Sequence, residues 1–65
     1  MISVNSESLT GLEGKTVSEM LKERGFKTVF VAVECNGKII PKKDYDTAIL
    51  RDGDKLEVVS FVGGG

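Results

Sequence analysis

The chain has no histidine and a single cysteine, Cys35. The first absence removes together the usual general base, the usual activator of a nucleophile and a common transition-metal ligand, so a self-sufficient enzyme with its own bound cofactor or metal is not expected. The second excludes an internal disulfide, and a lone thiol suits a reducing compartment. No apolar run approaches the roughly 20 residues of a membrane span. The start, Met1-Ile2-Ser3-Val4-Asn5, is neither basic nor apolar enough over its length for a secretory signal, so a cytoplasmic protein without membrane contact is expected. Positive charge is not in excess either: 9 Lys and Arg against 10 Asp and Glu leave a net charge of −1. That lacks the basic footprint of a nucleic-acid binder and fits a protein partner with a positive rim better.

What is present suffices for one small domain. With 65 residues, 40% hydrophobic and 29% charged, the chain is too apolar to be disordered. It is too short to enclose a substrate, because a domain of this size buries only about 60% of its unfolded surface. The most informative stretch is the end. Leu56-Glu57-Val58-Val59-Ser60-Phe61-Val62 alternates as a strand and runs into Gly63-Gly64-Gly65. Glycine loses the most backbone entropy on ordering and offers no packing surface, so folding does not ask for three of them there. A terminal glycine run gives a thin thread that can enter a narrow channel, reaching roughly 10 Å at about 3.3–3.6 Å per residue. Residues 1–62 are read as the folded domain and 63–65 as a flexible C-terminal tail.

Along the body, Ile2 and Val4 alternate with Ser3 as a first strand. Asn5-Ser6-Glu7 reads as a turn, and Ser8 to Leu12 as a second, antiparallel strand with a bulge at Gly11. Thr16-Val17-Ser18-Glu19 is the S/T-x-x-E capping pattern. It opens a helix whose stripe is Val17, Met20 and Leu21 and which ends near Arg24, with Gly25 in the left-handed position and Phe26 folding back on Leu21. Thr28 to Cys35 reads as a β-branched strand. Asn36-Gly37 is a strong hairpin signal, Lys38-Ile39-Ile40 the return strand, and Pro41 an edge residue. Lys42 to Ala48 reads as a loop or short helical turn anchored by Tyr45 and Ala48. Ile49 and Leu50 return to the interior, Arg51-Asp52-Gly53-Asp54 turns, and the last strand puts Leu56, Val58 and Ser60 on one face and Glu57, Val59 and Phe61 on the other. One helix between two hairpins predicts an α+β chain with a mixed sheet packed on that helix, first and last strands adjacent and parallel. That is the β-grasp (ubiquitin-like) arrangement, and it leaves the other sheet face bare.

These residues resemble the ThiS-type sulfur carriers of the ubiquitin-like β-grasp proteins, over essentially the whole chain. The likeness rests on Lys15-Thr16-Val17 with Leu21, on Val33 through Pro41, on Arg51-Asp52-Gly53-Asp54, and on Phe61-Val62-Gly63-Gly64-Gly65. It implies that an E1-like adenylyltransferase uses ATP and magnesium to form an acyl-adenylate on Gly65. A cysteine-desulfurase-derived persulfide then supplies sulfur, and the resulting thiocarboxylate passes to thiazole synthase for thiamin thiazole synthesis. Gly64 and Gly65 carry over as the motif, with Gly63 extending the thread. The chain itself would then be a carrier and a monomer.

Val59 and Phe61, on the outer face near the tail and joined by Phe30, are read as a docking patch rather than scattered surface hydrophobes. Cys35 is read as a small buried hydrophobe and not as the sulfur donor. Asp44, Asp46, Asp52 and Asp54 fail the spacing of a calcium loop and are read as turn residues. Two other functions remain open at this level. One is a carrier for molybdopterin synthesis, another pathway, or a ubiquitin-like modifier; the other is a β-grasp interaction module with no covalent role.

Overall fold

The capping pattern read at Thr16 forms in full. In the computed structural model, which describes residues 1–61, helix α1 spans Val17–Glu23. The Glu19 amide donates to Thr16 Oγ1 at 3.1 Å, and the Thr16 amide donates to Glu19 Oε1 at 2.8 Å. The two remaining free amides of the first turn are met by a neighbouring loop: Val17 N–H donates to the Ala48 carbonyl at 3.0 Å and Ser18 N–H to that of Tyr45 at 2.9 Å. A helix start buried without such partners would strand its donors. At the other end Gly25 adopts φ 81°. Phe26 N–H reaches back to the Leu21 carbonyl at 2.9 Å and Gly25 N–H to that of Lys22 at 3.2 Å, which is the Schellman ending. Seven residues cannot hold a helix in water. Burial of Val17, Met20 and Leu21, none with measurable exposure, stabilises it by about 1.5–3 kcal/mol per side chain.

The sheet beneath has five strands: β1 Ile2–Val4, β2 Glu7–Leu9, β3 Val31–Cys35, β4 Lys38–Ile40 and β5 Lys55–Ser60, in the spatial order β2-β1-β5-β3-β4. β5 lies at the centre, parallel to β1 and antiparallel to β3. The expected β-grasp architecture is therefore the observed one. Ile2, Val4, Val31, Val33, Leu56 and Val58 point inward and, with Leu12, Leu50, Tyr45 and the helix stripe, make one core.

Both hairpins turn in two residues. Asn36 and Gly37 have φ of 54° and 84°, and Asn5 and Ser6 have 51° and 72°, the pair of positive values that a type I′ turn requires. The second strand is correspondingly earlier than expected. β2 is Glu7–Leu9, ended before Gly11, so Glu7 pairs with Val4 rather than turning.

Two further expectations fail. Thr28–Phe30 is not strand but a 3₁₀ turn, and Val29 is 66% exposed. Its β-branched run is that of β3, which begins only at Val31. Ile49 is 48% exposed. It forms an isolated antiparallel bridge with Thr16, using its backbone while Leu50 alone enters the core. Lys42–Asp44 is the short helical turn expected there.

Candidate interaction face and tail exit

The inner face of the sheet is closed by α1 and the outer face is not. Alternation along β5 sends Val59 outward, where it is 54% exposed, and register fixes its neighbours. Ala32 of β3 stands opposite Val59, Glu34 opposite Glu57, and Ile39 of β4 opposite Glu34. Phe61 follows the strand with 59% of its surface exposed, and Phe30, just before β3, keeps 38%. The three residues read as a docking patch thus lie at one end of the sheet, where the chain leaves β5. The tail residues Gly63, Gly64 and Gly65 lie outside the described residues.

The exit is held on both sides. Phe61 N–H donates to the Phe30 carbonyl at 2.6 Å. The 3₁₀ turn carrying Phe30 has no side-chain cap of its own, and Lys42 Nζ ties it down by donating to the Val29 carbonyl at 2.9 Å. On the opposite edge, where β1 has ended, the Asn5 side chain continues its ladder. Asn5 Nδ2 donates to the Val58 carbonyl at 3.1 Å, and Val58 N–H donates to Asn5 Oδ1 at 2.7 Å. An amide side chain has the donor and acceptor needed to stand in for one residue of strand. Sequence reasoning missed this role. The only signal available for it was an asparagine placed directly after a short strand.

Cys35, Asp54 and Asp46 are occupied structurally. Cys35 packs against the core, and burial, with Asp54 nearby, pushes its thiol above the ordinary value. That is the opposite of the depressed value a nucleophilic thiolate needs. Asp54 accepts from Asn36 Nδ2 at 3.0 Å and from the Arg51 amide at 2.9 Å, fixing two turns. Asp46 accepts from Ser18 Oγ at 2.5 Å. Among the described residues no group of three or more acidic or thiol side chains is placed to hold a metal, and no helix is long and apolar enough to cross a membrane. A shallow depression of about 240 Å³ between α1 and the two 3₁₀ turns is lined by Ser18, Thr28, Val29, Lys42, Tyr45 and Asp46. Lys42, Ser18 and Asp46 already bond to the protein there.

The feature of this face is therefore an exposed strand end held on both sides. The model of the ThiS family matches residues 2–65. The chain belongs to the ThiS family. Over its full 65 residues it is 40% identical to the sulfur carrier protein ThiS of Thermus thermophilus, covering all of both chains. It is also 44% identical over 62 residues to a thiazole synthase of Paramagnetospirillum magneticum, covering 95% of this chain and 19% of that protein. The chain thus spans about a fifth of the length of the thiazole synthases it matches. Among solved structures, the thiamine biosynthesis protein ThiS of Geobacter metallireducens superposes with a TM-score of 0.79 at 31% identity, covering 98% of this chain and 97% of that one.

Proposed function

We propose that this ThiS-family chain is a sulfur carrier for thiamin thiazole synthesis, with the Gly65 carboxylate as the site that is modified. A carboxylate resists nucleophilic attack because of its own charge. An E1-like adenylyltransferase, using ATP and magnesium, converts it to an acyl-adenylate and releases pyrophosphate. The terminal sulfur of a cysteine-desulfurase-derived persulfide attacks the acyl carbon and AMP leaves. A thiol then reduces the resulting acyl disulfide, leaving a thiocarboxylate on Gly65. Gly63 and Gly64 form the thread that enters the partner's site, while Phe30, Val59 and Phe61 dock the body beside it. Thiazole synthase receives the sulfur.

The observation that carries this reading is the match with a ThiS carrier over all 65 residues, Gly63-Gly64-Gly65 included. The thiazole synthases that contain a segment similar to this chain favour thiazole over molybdopterin as the destination. Intact-mass analysis after incubation with the adenylyltransferase, ATP, magnesium and a persulfide donor tests the chemistry. A mass increase of one oxygen-to-sulfur exchange, located at the C-terminus, is expected. Offering that product to purified thiazole synthase and molybdopterin synthase tests the destination. Consumption by the second alone would contradict it.

A further inference from the structure

The sheet ends toward the tail on half of a normal rung. Val31 stands opposite Ser60, so Phe30 and Phe61 come next, and a hydrogen-bonded pair in an antiparallel ladder exchanges two bonds. Only one forms here. Phe61 N–H donates to the Phe30 carbonyl at 2.6 Å, but Phe30 N–H is committed to the Lys27 carbonyl at 3.0 Å, which closes the 3₁₀ turn. The hold on Phe61 is then only as steady as the turn that offers the carbonyl. That turn, Thr28–Phe30, contributes no buried residue and has no side-chain cap, so packing does not fix it. Lys42 does: its Nζ donates to the Val29 carbonyl at 2.9 Å, and among the described residues no other side chain bonds to the turn. The root of Lys42 is itself anchored. Tyr45 N–H bonds the Lys42 carbonyl at 3.1 Å, the Tyr45 side chain is buried in the core, and the Tyr45 carbonyl accepts from Ser18 N–H at the start of α1 at 2.9 Å. An unbroken series of contacts thus runs from the helix to the tail exit.

We propose that Lys42 is a positioning residue for presentation of the terminal carboxylate: by holding the Thr28–Phe30 turn it fixes Phe61, and with it the point from which Val62 and the three glycines leave the sheet. The inference rests on the reading above that Gly65 is adenylated. Glycine brings no stiffness of its own, so the thread's access to an enzyme's channel is set by where its root stands. A fixed root leaves less to be ordered on binding. Freeing it lowers the fraction of chains ready to bind, and apparent affinity falls by that fraction. The hold acts before any bond is made or broken, so its loss belongs in KM and not in kcat.

Three variants of the full chain test this. Lys42→Met keeps the stem and removes the donor, Lys42→Arg keeps a donor, and Lys43→Met removes the same charge one residue away. Amide exchange of the free chain, read by NMR at Phe61 and Val58, measures the hold. Pyrophosphate release with the adenylyltransferase, ATP and magnesium measures presentation. In Lys42→Met, Phe61 should exchange about two- to tenfold faster, the range for losing one hydrogen bond, while Val58, held separately by Asn5, is unchanged. KM for the chain should rise at least about twofold, by no more than the exchange rate does, at constant kcat. Lys42→Arg should restore both readouts, and Lys43→Met should move neither. Unchanged exchange at Phe61 in Lys42→Met would overturn the inference, and a raised KM alongside it would make Lys42 an enzyme contact instead. Faster exchange with unchanged KM would overturn the positioning role and leave the carrier reading intact. A rise in KM that Lys42→Arg fails to reverse, or that Lys43→Met reproduces, would also overturn it. No pyrophosphate release with the wild-type chain would overturn the carrier reading, and the positioning role with it.

Discussion

β5 shows two faces of one strand under opposite demands. Leu56 and Val58 face α1 and are buried, whereas Glu57 is half-buried and Val59, one step further, is more than half exposed. The inner face is fixed by the need to exclude water from one small core. Nothing in folding requires valine on the other side, or glutamate opposite glutamate. Where residue choice is not dictated by stability, it is open to be dictated by what the surface meets.

Substitution should expose that difference most strongly on β5 itself. Leu56→Ala should cost about 2–5 kcal/mol, a large share of the roughly 3–10 kcal/mol total of a domain this size. Val59→Ser should change stability by no more than about 0.5 kcal/mol while weakening partner binding. Chemical denaturation of both variants makes the comparison, and equal losses would break it. Asn5→Ala removes both hydrogen bonds that extend β1 along Val58, and should cost about 1–3 kcal/mol. Faster amide exchange at Val58 would locate the effect. Thr16→Ala should cost about 1 kcal/mol by stranding the Glu19 amide, measured by thermal melting.

A smaller effect has the opposite sign. Ser6 sits at φ 72° in the first hairpin, where the second has Gly37. Ser6→Gly should stabilise the chain by a few tenths to about 1 kcal/mol, as relief of left-handed strain outweighs the entropy of glycine. Smallest of all is a pH effect at the helix start. The Thr16 amide, with further help from the Thr16 hydroxyl and Lys15, holds the Glu19 carboxyl below its ordinary value of 4.5. A depressed carboxyl contributes stability that is fully present above the unfolded value and lost as pH falls through the folded one. Glu19→Gln should therefore flatten the acid limb of stability below about pH 4.5, with the wild-type curve as reference.

Much of this molecule is legible from residues that act locally. Thr16 with Glu19, Gly25 with Phe26, and Asn36-Gly37 each specify backbone geometry within a few positions, and all three form as read. Val29 and Ile49 were misplaced for a shared reason. Ile49 directly precedes core Leu50 and Val29 lies two residues before core Val31, and composition does not say on which residue a strand begins. Only contact with the rest of the fold decides that. Asn5 and Ser6 make a tight turn without the glycine that would announce it. The Glu34–Glu57 pairing depends on the register between β3 and β5, and register between distant strands is not written in either strand alone.

The central claim is that a folded handle carries its chemistry on a terminal acyl group. Its most direct test is to delete Gly65 and to follow adenylation and thermal unfolding on the same preparation. The account predicts that adenylation is lost while the melting curve overlays that of the intact chain. A truncated chain that is still adenylated at the wild-type rate, or one that loses activation only because it unfolds, would contradict it.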